Sequence, residues 1–393
     1  MIMMTRAFLP VGQGAFYMET FAFDSGKATI IYDCGSSTDV HIVEQMIQNL
    51  FKPGEDIAGV FISHFDADHT NGLPFLLKHC HVKNLFFPLI TKESQEFILL
   101  GDLTAPLHAS AFFSSFVRNP YGAFQSLNLD YTPALYQILE NGEDSESETQ
   151  YSNLDARYIL SGSDVSDILF DAQQCKEVDW RYIPFNFRET TRIAAFKKAM
   201  LKHFGQVCSR RDLQNLLNTG KISIDDIKQA YKDVPGSFNT NSMTVLSMSP
   251  NDCTVQSLSK FPLPKGHCPH PPHCSQSCVP RVLCKWIFAN GCLYTGDYDA
   301  KGPQKWKELH NAYDKYDRYI GCVQIPHHGS THNYNHQLLN IGHCLFYVIS
   351  AGSNNKYWHP HFSVMKDILV SRRYPLIVTE NSGTVSFDIF TMK

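Results

Sequence analysis

Four side chains that can bind divalent metals lie within six residues, in the pattern His-x-Asp-x-Asp-His. They are His64, Asp66, Asp68 and His69. The apolar run at 59–62 favours a strand before them, and the residues that follow favour a helix start. The sequence therefore predicts a loop at a sheet edge, on which the four side chains converge. Imidazole and carboxylate groups bind hydrolytic divalent metals, and two such ions about 4 Å apart can hold a hydroxide between them.

Three later motifs also follow strand-like apolar runs. They are Thr295-Gly296-Asp297, Pro326-His327-His328-Gly329, and Asn354-Asn355 together with His359-Pro360-His361. A single His or Asp at a strand end is more often a capping or turn residue. Four motifs that all stand at strand ends indicate one shared site, in which the two oxygens of Asp297 can bridge two ions.

Asp33 ends a further apolar run and stands two residues before Gly35. Two interpretations of this aspartate remain open. Its side chain either forms an Asx turn or orients the loop that carries the metal ligands.

Strand-like and helix-like segments alternate around these motifs. Two or three short strands are predicted over 8–23 and 27–33 together, and further strands at 178–186, 243–248, 285–294, 319–325, 345–350, 376–379 and 384–390. Helices are predicted over 188–233, 301–317 and 363–373. This alternation indicates an α/β fold with the sheet inside and the helices outside.

The composition is that of a globular protein. The 393 residues are 43% hydrophobic and carry a formal net charge of -4, so any binding of nucleic acid would have to be local. The twelve cysteines follow no regular framework, and the N-terminus leads into no apolar signal core. We expect reduced thiols, a cytoplasmic location and, since no window holds eighteen apolar residues, no membrane-spanning helix.

Two segments depart from the strand and helix pattern of the core. Residues 91–175 combine amphipathic, aromatic-rich stretches with an acidic run at 140–148 that holds five carboxylates. The predicted helices of 188–233 contain ten Lys or Arg against five Asp or Glu. Lys198, Lys202 and Arg210 of this basic segment are candidate phosphate-binding residues, although an ordinary solvated helix face is at least as good an interpretation.

A third unusual segment is rich in Cys, His and Pro and spans 253–284. The spacing between His267 and Cys284 matches no standard zinc knuckle. It forms either an unremarkable loop or a structural metal clip.

The order of the motifs resembles the metallo-β-lactamase superfamily, and within it the catalytic domain of the ComEC-type DNA-internalisation competence proteins. The similarity covers roughly residues 5–90, 176–188 and 237–393. The residues that carry it are Gly12 and Gly14, Asp33 and Gly35, His64 to His69, Asn239 to Ser242, Thr295 to Asp297, Pro326 to Gly329, and Asn354-Asn355 with His359-Pro360. The resemblance implies an αββα sandwich with a core at 1–90 and 237–393, joined by a strand at 176–188. Residues 91–175 and 189–236 would be lid-like insertions.

The resemblance also implies which residues bind each ion. His64, Asp66 and one further ligand would hold the first ion, and Asp68, His69 and either His327 or His328 would hold the second, with Asp297 between them. Many members have histidine where Asp66 stands, and an additional carboxylate favours a harder ion, so the two divalent ions are zinc or manganese. His359 is either the missing ligand or a general acid. Asp68 and His359 are the candidate catalytic residues, and Asn355 is a candidate substrate-binding residue.

The function implied is that of a soluble binuclear metal-dependent hydrolase, a phosphodiesterase or nuclease acting on nucleic acid or nucleotide. A lactone, thioester or β-lactam hydrolase is the alternative of the same class. The alternative from another class is a partner-binding protein of a multi-component system, such as a defence system, which would bind through the insertions. The complete set of ligand residues favours an enzyme.

Overall fold

The computed structural model describes residues 2–90, 95, 111–142, 156–187, 190–233, 242–251, 253–259 and 289–391. The Cys/His-rich stretch from His267 to Cys284 and the residues Asn239 to Asn241 lie outside this part of the chain. Within it, most of the strands and helices predicted from the sequence are present.

A nine-stranded sheet contains the N-terminal half of the fold and the last strand. Its strands lie in the order β12-β17-β1-β2-β3-β5-β7-β8-β9. They are β1 (Ile2–Phe8), β2 (Gly14–Phe23), β3 (Gly26–Ser36), β5 (Gly59–Phe61), β7 (Asn84–Pro88), β8 (Ala134–Ile138), β9 (Arg157–Ile159), β12 (Cys253–Ser259) and β17 (Val385–Thr391). The strands from β3 to β9 pair in parallel, whereas the others pair antiparallel. A separate small pair is formed by β4 (Asp56–Ile57) and β6 (His81–Val82).

A six-stranded sheet lies against the first, with the strand order β10-β11-β13-β14-β15-β16. Its strands are β10 (Arg181–Phe185), β11 (Thr244–Met248), β13 (Gly291–Tyr294), β14 (Ile320–Gln324), β15 (Phe346–Ser350) and β16 (Tyr374–Val378). The last four run parallel to one another, so their carboxyl ends meet at one edge.

Helices connect the strands. They are α1 (Val40–Leu50), α2 (Ala67–Thr70), α3 (Leu73–His79), α4 (Ala111–Arg118), α5 (Pro120–Ser126), α6 (Ser166–Leu169), α7 (Gln174–Glu177), α8 (Thr190–Phe204), α9 (Arg210–Asn218), α10 (Ile224–Lys232), α11 (Pro303–Tyr313) and α12 (Phe362–Val370). The helix predicted over 301–317 ends at Tyr313 and continues as a tighter 3-10 turn, Asp314–Tyr319. Among the described helices, none is both long and apolar enough to cross a membrane.

The molecule has the four layers of an αββα sandwich, as the resemblance implied. The apolar cluster between the two sheets contains Phe21 and Phe61 of one sheet and Val245 and Val348 of the other. A second cluster packs the outer face of the nine-stranded sheet against α1, α3, α4 and α5. A third packs the outer face of the six-stranded sheet against α11 and α12. Burial of both faces explains why the parallel strands are mostly apolar and do not alternate with polar residues.

The interior between the sheets also holds a charged pair. Glu19 of β2 accepts a hydrogen bond from Arg6 Nε at 2.6 Å, and both side chains are almost fully buried. Tyr182, Ser247 and Tyr294 of the six-stranded sheet also donate to the Glu19 carboxylate. These donors from the opposite sheet offset the desolvation cost of the buried pair. The same contacts fix how the two sheets face each other.

The prediction that all of 91–175 forms a lid is wrong for part of that segment. Strands β8 and β9 extend the nine-stranded sheet in parallel with β7, and Ile138 is fully buried between the sheets. They join the core because the parallel strand β7 otherwise leaves an open edge of backbone hydrogen-bonding groups. Residues 111–126 form α4 and α5, which pack on the outer face of the same sheet.

The basic segment is helical, as predicted. Its helices α8, α9 and α10 pack around their own small apolar cluster, which includes Phe196, Met200, Leu213 and Ile227. The segment follows the end of β10 and precedes β11, and Phe185 of β10 pairs with Thr244 of β11. Both ends of the segment therefore attach at one edge of the six-stranded sheet.

Candidate metal centre

Loops after several strands meet at one edge of the sandwich and carry the candidate ligands. His64 and Asp66 follow β5, and Asp68 and His69 lie in the short helix α2, as the strand-to-helix prediction required. Asp297 follows β13, His327 and His328 follow β14, and His359 follows β15. Backbone hydrogen bonds join the loops. The N–H of Met243 donates to the carbonyl oxygen of Ser63 (2.8 Å), and the N–H of His327 donates to that of Gly296 (3.1 Å).

Two glycines let the helix that carries Asp68 and His69 lie directly on the sheet. A Cβ atom on Gly35 would stand 2.5 Å from the backbone nitrogen of Thr70, and one on Gly14 would stand 2.7 Å from the Asp68 carbonyl oxygen. Any larger residue would therefore push α2 and its ligands outward. This contact explains the two glycines among the N-terminal motif residues.

Asp297 lies at the centre of the histidines. Its Oδ1 is 3.1 Å from Nε2 of His69, whereas its Oδ2 is 3.6 Å from Nε2 of His327 and 3.9 Å from Nε2 of His64. The two carboxylate oxygens thus face different imidazoles. This is the geometry required of a carboxylate that bridges two ions.

The other carboxylates lie on either side of Asp297. Asp68 Oδ2 is 3.2 Å from Nε2 of His328, and Asp66 Oδ2 is 4.0 Å from Nε2 of His64. Two overlapping groups have ligand atoms within 4.8 Å of one another. They are His64-Asp68-His69 and His69-Asp297-His328.

Each of the four central imidazoles is held through its Nδ1 nitrogen. His69 Nδ1 donates to Asp33 Oδ2 (2.7 Å), His327 Nδ1 to Asn333 Oδ1 (2.7 Å) and His328 Nδ1 to the carbonyl oxygen of Ser350 (2.9 Å). Nδ1 of His64 lies 2.9 Å from Ser63 Oγ and 3.1 Å from Ser242 Oγ. Because these partners hold the Nδ1 side of each ring, the Nε2 atoms face the carboxylates of Asp297 and Asp68. Such outer partners are typical of metal-bound histidines.

Asp33 orients the ligand loop, so the second of its two interpretations is correct. Its Oδ1 accepts from the backbone N–H of Ser63, and its Oδ2 accepts from Ser63 Oγ and His69 Nδ1, all at 2.7 Å. The pairing of β2 with β3 shifts register at this residue, and its φ is +57°. A β-bulge of this kind redirects one side chain, here toward the metal edge.

His327 and His328 lie in a short 3-10 turn, His327–Gly329, in which both have positive φ, 50° and 56°. Two consecutive non-glycine residues rarely adopt this conformation, and such strain is found mainly where function requires it. The turn directs both imidazoles to the site. His327 lies near Asp297 Oδ2 and His328 lies near Asp68, so both stay candidate ligands.

The site is buried and strongly polarised. Burial, followed by the neighbouring His69, lowers the pKa of His64 to about 3. Burial opposes ionisation of Asp68, but its contacts with His328 and His69 outweigh it and lower the pKa to about 2. Nε2 of His64 is buried and has no hydrogen-bond partner among the residues described. Burial opposes protonation of His69 and His328, but their contacts with the neighbouring carboxylates outweigh it and raise the pKa of both imidazoles. A divalent cation would take the place of these protons, so the clustered imidazoles and carboxylates fit such a cation.

His359 differs from the four central histidines in the group that contacts its Nδ1 nitrogen. The amide nitrogen of Gln13 lies 3.5 Å from His359 Nδ1, and the amide oxygen of Gln13 accepts from Gly352 N–H. Gln13 therefore donates to Nδ1, which places the His359 proton on Nε2. Burial, followed by His328 and His327, lowers the pKa of this imidazole to about 4. Its ring lies 5.6 Å from that of His327.

The side chain of Asn355, the predicted substrate-binding residue, is hydrogen-bonded within its own loop. Its amide nitrogen donates to the carbonyl oxygens of Gly352 (2.7 Å) and His359 (2.6 Å). Its oxygen accepts from the backbone N–H groups of Tyr357 and His359. With both donors and the acceptor in use within its own loop, Asn355 shapes the loop that carries His359.

The structure does not bring the predicted phosphate-binding residues into the cluster of metal ligands. Lys202 Nζ is 2.7 Å from Asp233 Oδ2 within the helical segment. Lys198 is exposed on α8, and Arg210 is the first residue of α9. Their role in binding a substrate stays a prediction.

Several residues that support the site were not identified from the sequence alone. Gln324 at the end of β14 accepts from the backbone N–H groups of Thr295 and Gly296, both at 2.8 Å, and so holds the turn that presents Asp297. Asn333 donates to the Asp297 carbonyl oxygen and accepts from His327. Gln324 had a signal in the sequence, since it is a polar residue in an otherwise apolar strand.

Comparison with known proteins agrees with this geometry. Residues 19–127 match the sequence model of the Metallo-beta-lactamase superfamily. Within this chain, these residues match a metallo-beta-lactamase domain. The resemblance found from the motifs is thereby confirmed. The matched residues include the loop from His64 to His69, and the family match together with the fold supports hydrolase activity.

One curated relative is similar to a short stretch of this chain. ComE operon protein 3 of Bacillus subtilis (strain 168) is 27% identical over 107 residues. The match covers 27% of this chain and 13% of that protein. The similarity therefore applies to a small part of the relative and not to the whole of it.

Two solved structures show a distant likeness. The metallo-beta-lactamase fold protein YhfI from Bacillus subtilis is 8% identical, with a TM-score of 0.38 over 98% of this chain and 100% of that one. A long form RNase Z from yeast is 10% identical, with a TM-score of 0.32 over 91% of this chain and 38% of that one. At such low scores, the fold assignment rests on the layer order and the family match.

Proposed function

We propose that this protein is a binuclear metal-dependent phosphodiesterase that acts on nucleic acid or nucleotide. The observation that carries the proposal is the position of Asp297, whose two oxygens face different imidazoles among two overlapping groups of candidate ligands. His64, Asp66 and His327 stand on the Oδ2 side, and His69 stands on the Oδ1 side with Asp68 and His328 beyond it. One set alone would suffice for a single tetrahedral ion, so the second set supports a second ion.

Two divalent ions in these sets would act as Lewis acids on the phosphoryl group. The protein's contribution is to hold the four imidazoles of His64, His69, His327 and His328 rigidly through Ser63, Asp33, Asn333 and the Ser350 carbonyl, respectively. The carboxylate of Asp66, in a position where many related domains have histidine, supports manganese as well as zinc. Asp68 is proposed as a ligand and, through its place between the two groups, as a residue that orients the nucleophile.

His359 is proposed as a hydrogen-bond donor to the substrate and not as the missing ligand. Its Nδ1 is occupied by Gln13, so the nitrogen left for other contacts carries the proton. A protonated Nε2 has no lone pair for a metal ion. The lowered pKa keeps the ring neutral near pH 7, which makes His359 a donor to a phosphoryl oxygen or leaving group through a neutral N–H.

The phosphodiester is favoured over a lactone, thioester or β-lactam by charge. The basic helices α8 to α10 attach at the end of β10 and the start of β11, beside Ser242, whose hydroxyl accepts from Asp297 N–H at 2.9 Å. The segment carries ten Lys or Arg against five Asp or Glu, and such charge would assist a polyanionic substrate and would be of little use with a neutral one.

The test is metal analysis of the purified protein followed by a substrate screen. We expect close to two divalent ions per chain and hydrolysis of bis(p-nitrophenyl) phosphate and single-stranded DNA. Asp297→Ala and His69→Ala should each abolish this turnover and leave the far-ultraviolet circular dichroism unchanged, because the lost side chains lie at the sheet edge. Hydrolysis of a lactone or β-lactam alone would refute the phosphodiester proposal. Capture of a partner through the insertions, with no turnover at all, would favour the partner-binding alternative.

A further inference from the structure

The loop between β15 and α12 exposes two neighbouring aromatic side chains beside the candidate metal centre. Tyr357 is 50% exposed and Trp358 is 83% exposed, the highest value among the large apolar side chains of the described chain. Exposed aromatic rings cost solvation free energy, so their presence beside a site is informative. We call Lys356, Tyr357 and Trp358 the aromatic lip.

The aromatic lip is continuous with the metal ligands through ring contacts. The ring of Tyr357 lies 5.7 Å from that of His359 at an interplanar angle of 26°. The ring of His359 lies 5.6 Å from that of His327, and Nε2 of His327 is 3.6 Å from Asp297 Oδ2. A planar group on the lip would therefore lie next to any group held at the centre.

The backbone that presents the lip is fixed by the protein. Trp358 has a φ of +58°, a conformation that bulky L-residues rarely adopt. The Asn355 side chain holds the residues on both sides of it, because its oxygen accepts from Tyr357 N–H at 3.2 Å and from His359 N–H at 2.9 Å. Such a conformation persists only where surrounding contacts impose it. The exposed position of Trp358 is thus built into the loop.

Charge identifies the kind of ligand. The Lys356 ammonium group lies 5.1 Å from the centre of the Tyr357 ring, so the lip presents a cation together with aromatic faces. The metal centre beside it would attract an anion. A purely apolar ligand would gain nothing from these charges, and inorganic phosphate would gain nothing from the rings. A nucleotide unit has both the planar ring and the phosphate.

We propose that the aromatic lip is a base-stacking subsite, which binds the nucleobase next to the phosphodiester held at the metal centre. This inference rests on the proposed function for the identity of the anion. It assigns to Tyr357 and Trp358 the selection of base-bearing substrates, in the way that aromatic side chains bind single-stranded nucleic acids irrespective of sequence.

The test compares two single-stranded oligomers with the same uncleavable phosphorothioate backbone, one with bases and one abasic. Their affinities are measured by fluorescence anisotropy with the metal-loaded protein. Trp358→Leu and Tyr357→Leu should each weaken binding of the base-bearing oligomer about tenfold and leave the abasic one unchanged. Tyr374→Leu is the matched control, because Tyr374 is an exposed aromatic at the start of β16, the opposite end of the sheet from the metal edge. Metal content of every variant shows whether the centre is intact.

The outcomes separate the two proposals. Equal affinity of the wild-type protein for both oligomers, equal weakening of both in the lip variants, or no weakening at all would overturn the base-stacking subsite. Cleavage is then measured with the corresponding phosphodiester oligomers. Base-dependent binding that is lost in the lip variants, without cleavage of any phosphodiester, would refute the proposed function and leave the subsite standing. Cleavage of both oligomers with the same KM would refute the subsite alone.

Discussion

The contact of Asp33 with the ligand loop gives the sharpest prediction. Three donors converge on its two oxygens, namely Ser63 N–H, Ser63 Oγ and His69 Nδ1, all at 2.7 Å. In Asp33→Asn the side chain keeps its shape but has one acceptor oxygen and one NH2 group. The new NH2 group must then face one of these donors, on Ser63 or His69, in a fully buried environment.

The size of the effect follows from that geometry. A buried donor that loses its acceptor costs about 1–3 kcal/mol of unfolding free energy. If the amide turns its NH2 toward His69, the imidazole can only pair by moving its own proton to Nε2, the nitrogen that faces Asp297. Loss of an outer partner of a metal-bound histidine lowers metal affinity about 10–100-fold, equivalent to about 1.4–2.8 kcal/mol.

Two measurements separate these effects. Competition with a chromophoric chelator gives the metal affinity, and urea unfolding of the metal-free protein gives the stability. Asp24→Asn, in the exposed turn between β2 and β3, is the matched control and should change neither. A stable Asp33→Asn protein that binds metal as tightly as the wild type would refute the assignment of Asp33 as the residue that orients His69.

Three further predictions concern the ions, the buried charge pair and the basic segment. Removal of metal by a chelator should lower the Tm, by an amount equivalent to about 4 kcal/mol if the ions were present at a thousand times their Kd, and manganese should restore activity at least as well as zinc; an unchanged Tm on calorimetry would contradict this. Arg6→Met should lower the unfolding free energy in urea by about 3–5 kcal/mol because Glu19 then stays buried without its cation, whereas Arg181→Met, on the surface, should cost less than about 1 kcal/mol. Replacing Lys198 and Lys202 by Gln should reduce the slope of log affinity for single-stranded DNA against log salt by about 1 to 2, and an unchanged slope would make the segment an ordinary solvated surface.

The strands of the core could be predicted because each is a short apolar run bounded by turn residues. Strands β13, β14 and β15 were predicted for this reason, and the parallel pairing of β13 with β14 follows from helix α11 between them. The sheet membership of β8 could not be predicted in this way, since a single buried strand within an aromatic-rich segment does not show which edge it will join. The Arg6–Glu19 pair could not be predicted from the sequence either, because the donors to Glu19 come from strands far apart in the chain.

The ligand set was predicted better than the residues around it. Asp297 and His69 have the types and strand-end positions that metal binding requires, and both lie at the centre of the site. Asn355 has an equally suggestive position, but its amide is occupied by its own loop. Only three-dimensional contacts distinguish these cases, because the sequence gives the type of a polar side chain and not the partner that takes its hydrogen bonds.

The role that each histidine can have depends on its hydrogen-bond partner. An imidazole whose Nδ1 proton goes to an oxygen acceptor, such as Asn333 Oδ1 or the Ser350 carbonyl, presents a lone pair at Nε2 and can bind a cation. An imidazole whose Nδ1 accepts from an amide, as His359 does from Gln13, presents a proton instead. A single Gln13→Glu change would replace that donor with an acceptor and reverse the tautomer of His359. The five histidines thus divide into four that can bind ions and one that can donate to a substrate oxygen. The hydrogen-bond partner at Nδ1 of each ring determines which of these roles the ring can have.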